Sequence, residues 1–201
     1  MYNQITTIEM LAARSGGMVR AREARDAGVS PATLSDMVRQ GRLERLTRGL
    51  YHVLEGEPGT HPDFVAVALK VPSAVIALIS ALSFHDLTLQ IPRVVDVALP
   101  KSARAPKLAY PPLRVFWISE PAFSAGQETI ELDGVPVRMY SPAKTVADSF
   151  KFRNRLGSDV AVEALRMYLH KDDRDLTALW RYAEICRVQQ VMRPYVEAML
   201  Q

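Results

Sequence analysis

Residues 30–54 read SPATLSDMVRQGRLERLTRGLYHVL, and this stretch decides the fold of the first part of the chain. Ser30 is suited to cap a helix, because its hydroxyl oxygen accepts from an orphan N–H of the first turn. Pro31 fits the first helical position, where a missing N–H costs nothing. Leu34, Met37, Val38 and Gly41 recur at helical spacing and define an inward face. Ala32, Asp36 and Arg39 then point outward, flanked by Thr33, Ser35 and Gln40. Small, polar and basic side chains on an exposed face suit a helix that enters the DNA major groove. Gly41 ends the helix. Residues 43–47 and 50–54 alternate as two short strands around Arg48-Gly49, where the glycine favours a tight hairpin turn.

Upstream of this stretch, Thr6 or Thr7 can cap a helix that carries Ile8, Leu11 and Ala12 on one face, and Ser15-Gly16-Gly17 breaks it. Met18-Val19 is a short apolar lead-in to a second helix over residues 20–27, closed by Gly28, with Val29 packing the corner. A short helix, a glycine turn and a capped second helix make a helix-turn-helix, and the hairpin after it makes a wing. The expected domain is a winged helix-turn-helix over residues 1–56.

Charge supports that expectation. The chain has 201 residues and a formal net charge of +3, with a pI near 9.1. Arginine far outnumbers lysine, which favours bidentate phosphate or base contacts. Arg14, Arg20, Arg22, Arg25, Arg39, Arg42, Arg45 and Arg48 are opposed in this region by Glu23, Asp26, Asp36 and Glu44. Arg20 and Arg22 start the helix that lies across one DNA strand in this motif, and Arg45 and Arg48 lie on the wing. The candidate DNA contacts are therefore Arg20, Arg22, Ser30, Thr33, Ser35, Arg39, Arg42, Arg45 and Arg48, with double-stranded DNA as the partner.

The acidic, turn-rich run at 55–59 marks the expected boundary with a second domain over residues 57–201. Pro62 opens a helix with Phe64, Val65, Ala68 and Leu69 inward. Ser73 is expected to cap an apolar helix through Val75, Ile76, Leu78, Ile79 and Leu82. Strands are expected at 93–99, 113–118, 128–132 and 135–140, the last two joined by Asp133-Gly134. Pro136 argues for a sheet edge. From Ser141 the chain reads as helical, with caps at Ser141, Ser158 and Asp173 or Asp175, and with Pro194 interrupting or opening the last helix. The fold class is α+β: a winged head, then a mixed domain with a small sheet and a helical C-terminal tail.

Other chemistries are poorly supported by the pattern. Ser80 or Ser83, His85, and Asp86 or Asp148 have a hydrolase vocabulary without the strand–elbow–helix glycine pattern. The plainer expectation is that His85 and Ser80 satisfy buried polar groups at a helix end. Asp96 followed by Lys101 faintly resembles a nuclease pair that lacks its second carboxylate. His52, His61, His85 and His170 do not fall at metal-ligand spacing, and there is one cysteine, Cys186, so neither a structural zinc site nor a disulfide is expected. No cofactor motif and no catalytic residue are assigned. Lys144, Lys151, Arg153 and Arg155 are a possible second functional surface, with Asp148 engaged in ordinary i,i+4 pairing to an exposed Lys144. The N-terminus lacks a basic start and apolar core, and the longest apolar run, 74–82, is far short of the ~20 residues a membrane span needs. A reducing cytoplasm is the expected location.

On these residues the chain resembles the AbiEi family of antitoxins from type IV toxin–antitoxin systems. The resemblance rests on Gly28-Val29-Ser30, Thr33-Leu34, Met37-Val38, the run from Gly41 to Arg45, and the run from Arg48 to Tyr51. Further along it rests on Ser80-Ala81-Leu82 with His85, and on the run from Ser141 to Asp148. It implies a transcriptional repressor whose winged head binds inverted repeats in its own promoter. It also implies a C-terminal domain that counteracts a co-encoded nucleotidyltransferase-like toxin without a stable complex. Arg39 is the main long base-reading side chain on the exposed face, so base readout would also lean on Ser30, Thr33 and Ser35 or on the wing. A nucleic-acid-processing enzyme and a protein-interaction module remain the alternatives.

Overall fold

The computed structural model describes residues 2–55 and 59–200. The expected boundary between 56 and 57 lies outside the described residues. The chain divides into two compact units, one of Met1–Ala74, Pro106–Leu113 and Thr129–Val137, the other of Val75–Ala105, Arg114–Glu128 and Arg138–Gln201. The first unit therefore extends past the residues expected for the head and draws in two later segments.

In the first unit, α1 (Tyr2–Ala13), β1 (Met18–Arg20), α2 (Ala21–Asp26), α3 (Pro31–Arg39), β2 (Leu43–Thr47) and β3 (Leu50–Val53) form the winged helix-turn-helix, followed by α4 (Pro62–Lys70). Helix α1 starts before the expected threonine caps, and the Thr7 hydroxyl instead donates to the Asn3 carbonyl at 2.9 Å. Met18 and Val19, read as a lead-in, form a third strand: the sheet order is β1-β3-β2, with Met18 opposite His52 and Arg20 opposite Leu50. Both are buried. Strand pairing gives their backbone groups partners that an isolated apolar dipeptide would lack. The core gathers Ile8, Ala12, Val19, Ala24, Val29, Leu34, Met37, Leu43 and Val53. Of the expected inward face of α3, Leu34 and Met37 are buried, Val38 is half-buried and Gly41 is exposed. Gly41 lies beyond the last helical turn, at φ +71°, where it closes the helix and packs nothing.

The second unit holds most of a five-stranded sheet of order β6-β5-β4-β8-β7, of which residues 129–137 are counted in the first unit. The strands are β4 (Val75–Ile76), β5 (Val95–Pro100), β6 (Leu113–Ile118), β7 (Gln127–Leu132) and β8 (Val135–Tyr140). The helix expected from Ser73 is corrected here. Val75 and Ile76 form a two-residue central strand, antiparallel to β5 at Ala98 and Val97 and parallel to β8 at Met139. Helix α5 (Leu78–Phe84) begins only after it. A short apolar run has no periodicity to separate a buried strand from a buried helix, and sheet pairing decided the matter. Pro136 is likewise not on an edge strand: β8 lies between β4 and β7. The proline is tolerated because β4 is too short to demand an N–H there; it registers with β8 only at Met139.

Helices α6 (Pro142–Lys151), α7 (Arg153–Leu156), α8 (Ser158–Leu169), α9 (Leu176–Ile185) and α10 (Gln189–Met199) complete the tail. Ser141 caps α6 and Asp175 caps α9 through their side chains. Gly157, at φ +107°, holds the cap position before α8, so Ser158 is its first residue and not its cap. Pro194 sits inside α10. Phe116, Tyr140, Phe150, Leu165, Leu179 and Met192 belong to the core of this unit. The fold is α+β, with a winged head and a helical tail.

Candidate nucleic-acid interface

The Ser30 hydroxyl accepts from the Thr33 N–H at 3.1 Å, and Pro31 holds the first turn of α3. With Leu34 and Met37 turned into the core, Pro31, Ala32, Ser35, Arg39 and Gln40 face outward. Arg39 donates to the Asp36 carboxylate at 2.9 Å, and its side chain is 78% exposed. An exposed pair of this kind holds a side chain loosely, at under about 1 kcal/mol, so Arg39 can exchange Asp36 for a base edge.

The expected hydroxyls differ in what they do. The Thr33 hydroxyl donates to Gln4 Oε1 at 2.5 Å, and the Ser30 N–H donates to the same oxygen at 3.2 Å. Both residues thus join the start of α3 to α1. Ser35 remains exposed and donates to the Pro31 carbonyl at 3.0 Å. Gln4 was missed by sequence reasoning; a polar residue in a first helix carries no signal that it will clamp another.

The arginines also divide. Arg20 pairs with Glu23 and its Nε is buried without a hydrogen-bond partner among the described residues. Arg22 lies 3.7 Å from Asp26. Arg42 bridges Glu9 at 2.9 Å and Glu55 at 3.4 Å, and is the most covered of the paired arginines. It ties the end of α3 to α1 and to the bend that follows β3. Arg45 and Arg48 are exposed, and among the described residues neither has an ion pair. The hairpin turns at Gly49, whose φ of +76° suits glycine. The Gly49 carbonyl accepts from the Ala21 N–H at 3.0 Å, which fixes the wing tip against the start of α2.

The second basic surface is not formed as expected. Lys144 is fully buried, paired with an equally buried Asp148, and its ammonium lies 4.0 Å from the centroid of the Tyr140 ring. Asp148 accepts in turn from the Cys186 thiol at 3.2 Å; burial pushes that thiol up to about 12. The i,i+4 spacing was legible. The burial was not, because α6 packs on α5, α8 and α9 and its polar stripe faces them. Arg153 donates to the Phe150 carbonyl at 2.8 Å, Arg155 lies over the Phe116 ring, and Lys151 is half-buried.

The enzyme-like groups are held by internal bonds. Asp96, fully buried, accepts two bonds from Arg114 at 2.7 Å and one from the Ile79 N–H at 3.0 Å. Ser80 accepts from the Asp96 N–H at 2.8 Å. His85 donates through Nε2 to the Tyr140 carbonyl at 2.8 Å. Among the described residues no group of three or more His, Cys, Asp or Glu is placed to hold a metal. Desolvation lowers the His85 pKa, outweighing the opposing hydrogen bond to Tyr140. The unfolded imidazole protonates below about pH 6.5 and the folded one only at lower pH. The stability contribution is therefore complete above that value and is lost as the pH falls through the folded pKa. Thermal unfolding midpoints should drop as the pH falls below about 6.5, and the drop should shrink in His85→Gln.

The geometry in residues 2–53 is that of a winged helix-turn-helix. Residues 7–53 match a family described as transcriptional regulator, AbiEi antitoxin, which agrees with the resemblance carried by the motifs of α3 and the wing. The fold as a whole is similar to the crystal structure of RV2827C protein from Mycobacterium tuberculosis. The TM-score is 0.57 at 17% identity, covering 96% of this chain and 79% of that one. That likeness concerns the fold alone. A comparison with curated proteins returns no match. Among the described residues no helix is long and apolar enough to cross a membrane.

Proposed function

We propose that the protein is a DNA-binding transcriptional repressor that acts as the antitoxin of a type IV toxin–antitoxin system, binding inverted repeats in its own promoter from the cytoplasm. The observation that carries the DNA-binding half is the outward face of α3, capped by Ser30 and bearing Arg39, beside a wing whose Arg45 and Arg48 have no carboxylate partner among the described residues. Phosphate contacts from the wing position the head, and Arg39 reads a base edge in the major groove. Ser35 is the one hydroxyl of the expected three that faces outward without an interhelical bond. Ser30, Thr33 and Arg42 support the recognition helix from within. The antitoxin half rests on the family match in the head and on the resemblance of the run from Ser141 to Asp148. Its partner is a co-encoded nucleotidyltransferase-like toxin, countered without a stable complex.

The test is a gel shift with the region upstream of the gene at two salt concentrations. Binding should favour that duplex over an unrelated one and weaken steeply with salt. Equal affinity for both duplexes would remove the operator from this reading, and salt-insensitive binding would remove the phosphate contacts. Arg39→Ala should weaken specific binding by ~1–3 kcal/mol while leaving non-specific binding nearly unchanged. For the antitoxin half, the neighbouring reading frame is expressed with and without this gene; unrelieved growth arrest would sink it.

A further inference from the structure

Helix α4 follows the wing and ends at Lys70. It packs on β1 and lies in the same compact unit as the wing. A lysine in the last turn of a helix ordinarily serves that helix's own open carbonyls. Lys70 instead reaches back along the chain, donating through Nζ to the Arg48 carbonyl at 2.7 Å. A Cβ built on Gly49 would lie 4.0 Å from that nitrogen, so the ammonium sits on the wing's turn. An ammonium has three donors, and one is used here.

The cations of this unit differ in whether they are paired. Arg20, Arg22, Arg39 and Arg42 each have an acidic partner. Among the described residues, Lys70, Arg45 and Arg48 have none within ion-pair distance, nor do Arg14 and Arg25. The wing's turn thus holds the Lys70 ammonium through the Arg48 carbonyl, and among the described residues neither side chain has a carboxylate partner. Resting on the DNA-binding reading above, we propose that Lys70 is a further DNA-phosphate contact and that α4 belongs to the DNA-gripping surface. Lys70 and Arg48 would clasp the backbone beside the groove occupied by the wing.

The experiment uses the full chain and two duplexes, one from upstream of the gene and one unrelated of equal length. Affinity is followed by fluorescence anisotropy from about 50 to 200 mM salt. Lys70→Gln should lower the salt slope by about 0.9 on both duplexes, so that its affinity falls about 3.5-fold less than that of the wild type across that range. Lys70→Arg should restore the wild-type slope, because charge and not shape is what the phosphate reads. Lys70→Gln binding with the wild-type slope overturns the proposal, even if affinity falls, since a lysine that only braces the turn would change affinity and not the count of released ions. A wild-type preference for the upstream duplex is tested by the same titration and is a separate result: its absence strikes the operator reading, while the slope on the unrelated duplex still decides Lys70. Failure of the wild type to bind either duplex overturns both.

Discussion

Asp148→Ala is expected to destabilise the second unit by about 3–5 kcal/mol, the cost of stranding one member of a buried ion pair. Asp148 and Lys144 are both without solvent exposure. Without the carboxylate, the ammonium keeps, among the described residues, the face of the Tyr140 ring at 4.0 Å, and a desolvated cation–π contact contributes on the order of 2 kcal/mol, which leaves most of the buried charge uncompensated. The Cys186 thiol loses its acceptor as well. Replacing both partners, as in Lys144→Met with Asp148→Leu, should cost much less than the single change, because two apolar side chains need no compensating charge. Urea unfolding of the single and double variants measures the difference. A single-variant loss below about 1 kcal/mol, the level of an exposed pair, would mean that water reaches these groups.

Leu34→Ala is expected to remove about 2–5 kcal/mol from the first unit, the range for deleting a buried leucine side chain. Leu34 is 4% exposed and packs with Met37 among Ile8, Ala24, Val29 and Leu43. Its loss opens a cavity directly beneath the helix that carries Arg39. A domain's whole stability is only about 5–15 kcal/mol, so the consequence reaches function: DNA affinity should fall although Leu34 touches no DNA. Amide exchange in α1, α3 and the wing strands would report the loosening. Unchanged protection there, together with weakened DNA binding, would mean that Leu34 acts on the interface itself and that the packing account is wrong.

The parts of this molecule that could be read from sequence are those fixed by local chemistry. Ser30-Pro31 and Ser141-Pro142 announced two helix starts because capping is a bond between near neighbours. Asp133-Gly134 announced a hairpin for the same reason. The parts that could not be read depend on distant partners. Val75-Ile76 became a strand because β5 and β8 flank it. Lys144 looked exposed because nothing in its own helix says which face three other helices will cover. The candidate interface divides along the same line. The exposure of Arg39 followed from helical period, whereas the engagement of Thr33 by Gln4 and of Arg42 by Glu9 and Glu55 came from α1 and from beyond the wing.

The first unit is stitched from three separate stretches, the last ending at Val137. In that last stretch Asp133 accepts from the Thr60 N–H at 3.1 Å, and Gly134 rides so close to the Arg14 carbonyl that a methyl group would collide with it. During synthesis the chain emerges from the ribosome N-terminus first. The first unit therefore waits, incomplete, until residue 137 has been made. A nascent chain cut short before residue 137 therefore lacks part of that first unit.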